Sequence, residues 1–201
     1  GKNIARLHIA SKKLKLFRKN ALAVTKLNKL LATINKRINK VQKNILDDMR
    51  NEYKYLKKSW PKKLNSGIIH CDLFIDNIFF YKRKYYGFID FYFSCHDFYA
   101  YELAICINAL CFKKKKKLFL FDKNKSTNLI KGYESERKLS NSERKYFNTL
   151  CRGSALRYLL TRAYDYLNTP KSAIIKIKDP REYVQKLSFH GKMDSFQNYL
   201  K

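Results

Sequence analysis

The fold that these 201 residues predict is a mostly helical α+β domain organised around a small β-hairpin. Three observations carry that prediction. Long segments on both sides of the middle repeat apolar residues at helical spacing. Three short runs between them, 67–71, 77–81 and 85–93, are apolar and β-branched or aromatic, as strands are. The length suffices for one domain with a substantial core, and neither an internal repeat nor a linker is visible.

In chain order, Ile4, Leu7, His8, Leu14 and Phe17 predict a helix over 4–17, and 21–34 continues in the same mode. Over 38–58, Ile38, Val41, Ile45, Met49, Tyr53 and Leu56 keep a helical period. Trp60-Pro61 ends that segment, because a residue before proline avoids the helical region. The stretch KRKYYG at 82–87 joins the last two strands as a hairpin. Residues 98–112 are apolar on most sides and predict a central helix. Residues 113–128 read as a solvated loop, since five adjacent lysines at 113–117 repel one another. Ser140-Asn141-Ser142-Glu143 is a capping box, opening a long helix to about Leu167. Asp179-Pro180-Arg181-Glu182 opens another, with a cap, a proline at the first helical position and an early acid. A single domain over 1–201 thus divides into a helical part (1–60), a loop and hairpin (67–93) and a second helical part (98–201).

The charge is extreme: 44 Lys+Arg against 16 Asp+Glu, a net +28. One explanation is a nucleic acid or another polyanion as partner. The other is compositional. Lys, Asn, Ile, Tyr and Phe are inflated together while Gly, Pro, Trp and Met are scarce, as A/T-rich coding sequence produces. The basic residues are scattered over all segments and form no nucleic-acid motif, so no specific nucleic-acid partner is expected. Five cysteines without a CxxC pair point to reduced thiols and a cytoplasmic setting. The longest apolar run, 103–112, is too short to cross a bilayer, and no membrane association is expected. The chain opens in what reads as the middle of an amphipathic helix, which predicts further polypeptide upstream.

The chemistry concentrates in GIIHCDLFIDNIFF (67–80) and YYGFIDFYF (85–93). Polar groups inside buried strands are costly unless they have a task. His70-x-Asp72 is followed five residues later by Asn77, and Asp90 ends the next apolar strand. Phosphoryl transfer from ATP needs such a set: one carboxylate for the acceptor hydroxyl, and an amide oxygen and a second carboxylate for Mg²⁺. Taken singly, each is an ordinary core or turn residue. Jointly, H-x-D-x-x-x-x-N between strands, with I-D-F at the right distance, points to a kinase-type site.

These stretches, with IARLHIA (4–10), GFIDFYFSCHDFYAYELAICINALCF (87–112), SALRYLLTRAYDYLNTP (154–170) and KDPREYVQKLSFH (178–190), resemble the aminoglycoside phosphotransferase/choline kinase superfamily. Within it they look like its homoserine kinase branch. The resemblance runs in order over nearly the whole chain and implies the C-terminal lobe of a protein-kinase-like fold. It implies Asp72 as catalytic base, Asn77 and Asp90 as Mg²⁺ ligands, and His70 as a brace for the loop. The implied cofactors are ATP and Mg²⁺, and the implied acceptor is L-homoserine in threonine biosynthesis. Choline or an aminoglycoside stays open as an alternative acceptor.

Asp97 is expected to cap the helix that follows it or to hold the loop through backbone bonds. Glu102 stands where the family pattern has Asp, one carbon shorter. For the homoserine carboxylate and amine, Arg157, Arg162 and Asp165 are the candidates, with a structural Arg–Asp pair at helical spacing as the alternative. Nothing in the chain supplies an N-terminal lobe: six glycines form no GxGxxG. The expectation is a C-lobe that either works with a separate N-lobe polypeptide or is a truncated, non-catalytic remnant.

Overall fold

Two helices form the centre, and their sequences show why. In the computed structural model, which describes residues 1–170, 172–174 and 177–201, α4 (Tyr99–Leu110) is buried from Tyr99 through Asn108. A helix without a polar face must be enclosed. The helix α6 (Asn141–Asn168) packs along it and contributes Phe147, Leu150, Leu156 and Leu160 to the same core. The predicted capping box is present: Glu143 N–H donates to Ser140 Oγ at 3.2 Å, and Ser140 N–H donates to the Glu143 carboxylate at 2.8 Å. The helix stops before Thr169-Pro170, where proline forbids continuation.

Around this pair lie α1 (Lys2–Ser11), α2 (Leu27–Thr33), α3 (Ile45–Ser59), α5 (Lys123–Glu134) and α7 (Arg181–Gly191). Acids open α3 (Asp47, Asp48) and lysines close it (Lys57, Lys58), matching the helix dipole. Trp60-Pro61 ends it as expected, and the Trp60 ring lies so close to α6 that a Cβ on Gly153 would meet it at 2.3 Å. The last helix starts one residue later than expected: Pro180 is the N-cap of α7 and makes no side-chain cap bond, while Asp179 before it accepts from Arg181 N–H at 2.9 Å.

Among the described residues the strands form three two-stranded antiparallel sheets. The first pairs β1 (Ser66–Ile69) with β4 (Cys95–Phe98), Ile69 opposite Cys95. The second pairs β2 (Ile78–Tyr81) with β3 (Lys84–Phe88), Phe79 opposite Gly87. The third pairs β5 (Phe112–Lys115) with β6 (Leu118–Phe121).

Several expectations are corrected. Residues 113–128 are not a loop but most of the third hairpin and the start of α5. The lysines are tolerated because their side chains reach solvent while Phe112 and Phe121 pack on Phe189 of α7 at 5.4 and 4.5 Å. The second helical part therefore contains a sheet. The strand predicted to reach residue 93 ends at Phe88, since Asp90 has left-handed backbone and Phe91–Phe93 make a 3₁₀ turn. The hairpin turn is the pair Lys82-Arg83, both left-handed, as a tight two-residue connection requires. The first helix stops at Ser11, 3₁₀ turns replace the first turns of the next two predicted helices, and α3 starts only at Ile45.

Candidate active site

The segment that leaves β1 carries His70, Cys71 and Asp72. Cys71 has φ 67°, a left-handed turn uncommon for a residue with a side chain. It swings the chain away from the sheet, and a 3₁₀ turn at Ile75–Asn77 leads it back into β2. Three hydrogen bonds tie the sequence-predicted residues together. Asn77 Nδ2 donates to the Asp72 carbonyl at 2.9 Å. Ile89 N–H donates to the Asn77 carbonyl at 3.2 Å. His70 Nε2 bonds the Ile89 carbonyl at 2.8 Å, directly before Asp90. His70, Asp72, Asn77 and Asp90 thus meet at one end of the β2–β3 hairpin.

Each has a distinct setting. The His70 ring is buried between Phe88 and Phe91, with the Phe91 centroid at 4.6 Å. Burial lowers its pKa, and because a carbonyl only accepts, Nε2 is the nitrogen that donates to Ile89. Asp72 Oδ1 accepts from the Tyr158 hydroxyl at 3.0 Å. With its amide nitrogen used on Asp72, Asn77 keeps its amide oxygen for another partner. Asp90 is exposed, and its carboxylate has no ion-pair partner among the described residues.

Beneath this loop, Glu102 is fully buried on α4 and accepts from the backbone N–H of His70 and of Cys71, the latter at 3.0 Å. Burial pushes its carboxyl up to about 7, against the two N–H bonds that favour the charge. Arg157 is also buried; its Nη1 donates to the Cys71 carbonyl and thiol, both at 2.9 Å. Cys71 is thus held through its N–H by Glu102 and through its C=O by Arg157.

The three residues considered for the acceptor are not brought together. Arg157 faces Cys71. Arg162 forms an ion pair with Glu182 at 2.7 Å and bonds the Asp179 carbonyl. Asp165 is exposed and pairs with neither arginine among the described residues. Asp97 does not cap α4, whose N-cap is Phe98 without a side-chain bond. It lies in β4, where it accepts from the Asn20 amide at 2.6 Å and from Phe98 N–H at 2.7 Å, and burial raises its carboxyl pKa. Of the two expected roles the cap is not seen, and the backbone bond that is seen goes to the adjacent Phe98 N–H.

Sequence reasoning missed Tyr158 and Asn20, and it gave Glu102 no defined task. A usable signal exists for Glu102 alone: an acid inside the apolar run of α4 must find donors.

A family model described as "Phosphotransferase enzyme family" matches residues 1–120. The homoserine kinase of Agrobacterium fabrum (strain C58) is 43% identical over 199 residues, which are 99% of this chain and 61% of that protein. The homoserine kinase of Rhizobium etli (strain CIAT 652) is 41% identical over the same shares. The chain therefore spans about three fifths of the length of these curated relatives. Among solved structures, an amicoumacin kinase superposes with TM-score 0.65 at 14% identity, covering 98% of this chain and 60% of that one. A Plasmodium vivax ethanolamine kinase superposes with TM-score 0.62 at 16% identity, covering 100% and 56%. These two establish the fold, a mostly helical α+β architecture of the kind found in small-molecule kinases.

Proposed function

The chain belongs to the phosphotransferase enzyme family, and from that premise we propose that it carries the catalytic half of an ATP-dependent kinase that phosphorylates the hydroxyl of L-homoserine to O-phospho-L-homoserine. The observation that carries the proposal is the hydrogen-bonded convergence of His70, Asp72, Asn77 and Asp90 at one hairpin end. Asp72 acts as the base toward the acceptor hydroxyl. His70 braces the turn by holding Ile89 beside Asp90.

The donor set suits magnesium. The free amide oxygen of Asn77 and the exposed carboxylate of Asp90 are hard oxygen ligands. Among the described residues no group of three or more His, Cys, Asp or Glu forms a metal cluster, so such an ion would take its further ligands from phosphate and water. Bound there, Mg²⁺ would neutralise charge on the transferring phosphoryl group. The purine has an apolar floor on the outer face of the hairpin. Phe79 lies there half exposed, opposite Gly87, above which a Cβ would meet nothing, and Ile89 continues the same face. The clamp over the phosphates would come from polypeptide equivalent to the rest of the relatives' length, in the same chain or in a separate one. Homoserine as acceptor rests on the two relatives of that name, at 43% and 41% identity.

The test is ADP release with Mg²⁺-ATP across a panel of hydroxyl acceptors: L-homoserine, choline, ethanolamine and an aminoglycoside. Turnover with L-homoserine, abolished by Asp72→Asn, supports the proposal. Turnover with another acceptor alone replaces the substrate, and turnover untouched by Asp72→Asn removes the site.

A further inference from the structure

We propose that the consecutive residues Arg157 and Tyr158 of α6 aim the Asp72 carboxylate, so that Oδ1 is tied down and Oδ2 is the oxygen presented to the acceptor. The inference rests on Asp72 being the base of the proposed reaction and adds the residues that orient it.

The backbone on both sides of Asp72 is already fixed. Cys71 is held at its N–H by Glu102 and at its C=O by Arg157 Nη1, 2.9 Å away. The Asp72 carbonyl accepts from Phe74 N–H at 2.9 Å and from Asn77 Nδ2 at 2.9 Å. What remains free is the side chain itself, whose carboxylate rotates through a broad, two-fold torsion. Among the described residues, Tyr158 is the group whose hydroxyl bonds that carboxylate.

The phenol has one proton and two acceptors in reach. Asp72 Oδ1 is at 3.0 Å and the Cys71 carbonyl at 3.3 Å. The carbonyl is already served by the Arg157 guanidinium, and a charged acceptor makes the stronger bond. The proton therefore goes to Asp72. Arginine and tyrosine cooperate: the first already satisfies one lone pair of the competing carbonyl, and the second makes its stronger bond to the charged carboxylate.

The donor is itself immobile. The Tyr158 ring is 8% exposed, meets Phe74 edge-on at 5.0 Å and lies on Tyr183 at 5.3 Å, with the Arg157 guanidinium 4.9 Å from its centroid. A rigid donor on a long helix is what a base needs when its own loop is short and irregular, since small misplacement of a reacting group is costly in rate. Arg157 and Tyr158 are assigned as positioning residues that act through the Asp72 loop.

The experiment compares Tyr158→Phe with Tyr183→Phe. Both lose a buried hydroxyl, but that of Tyr183 bonds nothing among the described residues. For Tyr158→Phe the expected result is a kcat lower by about tenfold. KM for ATP and acceptor stays within twofold. Tyr183→Phe should leave all of these unchanged. A kcat equal to wild type in Tyr158→Phe overturns the proposal. A crystal structure of Tyr158→Phe reads the orientation without turnover. There Asp72 should adopt a second side-chain conformer, and an Asp72 unchanged from wild type overturns the proposal by itself. If Asp72 moves as expected but Asp72→Asn keeps full phosphotransfer, the aiming contact stands and the base assignment falls.

Discussion

The loop that carries Asp72 has two unlike sides. Its inner side is fastened by buried polar groups: Glu102 on two backbone N–H groups, Arg157 on a carbonyl, Tyr158 on the carboxylate. Its outer side, the β2–β3 hairpin and the turn after it, shows Phe79, Phe80, Tyr81, Tyr86, Phe91 and Tyr92 at least two-fifths exposed. A buried polar group that loses its partner costs far more than an exposed apolar one that loses its neighbour. The inner side therefore sets the geometry of the loop, and the outer side is available to whatever the loop acts on. Substitutions on the two sides should separate stability from binding.

The largest effect tests the residue between them. Asp72→Asn keeps an oxygen for the Tyr158 hydroxyl and removes the proposed base. The expected loss in kcat is about 10² to 10⁴, with an unfolding midpoint close to wild type. A variant that loses stability instead would move Asp72 from the reacting side to the fastening side.

The next effect belongs to the inner side and depends on pH. Burial raises the Glu102 carboxyl from its ordinary 4.5 to about 7. The folded chain thus holds this proton more tightly than the unfolded chain, and the associated stability is full below 4.5 and lost as pH rises through 7. The magnitude is on the order of 3 kcal/mol. Urea unfolding of wild type should show that downward slope between 4.5 and about 7, and a level stability above it. In Glu102→Gln, which keeps an acceptor oxygen and cannot titrate, the slope should flatten. An unchanged slope would mean that another group produces it. Glu102→Ala leaves the His70 and Cys71 N–H groups without an acceptor and should cost about 2–5 kcal/mol at neutral pH.

What was legible in the sequence follows the range over which each interaction acts. The α6 capping box spans four residues, the Trp60-Pro61 stop spans two, and both stand as read. The set His70, Asp72, Asn77 and Asp90 lies on neighbouring segments, so strand–turn–strand reasoning brings it together. The third hairpin was hidden because lysines fill Lys113 to Lys117, and its register is set by Phe112 and Phe121 packing on Phe189, some 70 residues away. Arg157 and Tyr158 reach back 86 residues to the loop. Helical spacing places them on α6 but not opposite Cys71 and Asp72. Arg157 had looked suited to a substrate carboxylate because a lone arginine on a helix carries no mark of the carbonyl it serves.

The smallest effect sharpens the outer side. Phe79 is half exposed on β2 and lies across from bare glycine backbone at Gly87. Phe79→Ala removes little buried surface, so unfolding free energy should change by less than about 1 kcal/mol. If the purine rests on this face, its stacking partner is lost, and KM for ATP should rise several-fold with kcat nearly constant, the signature of lost uniform binding. Gly87→Val adds a side chain where there is open space and should give the same pattern by obstruction, with little cost to the strand. A fall in stability without a change in KM for either variant would place this face among the fastenings and erase the difference between the two sides of the loop.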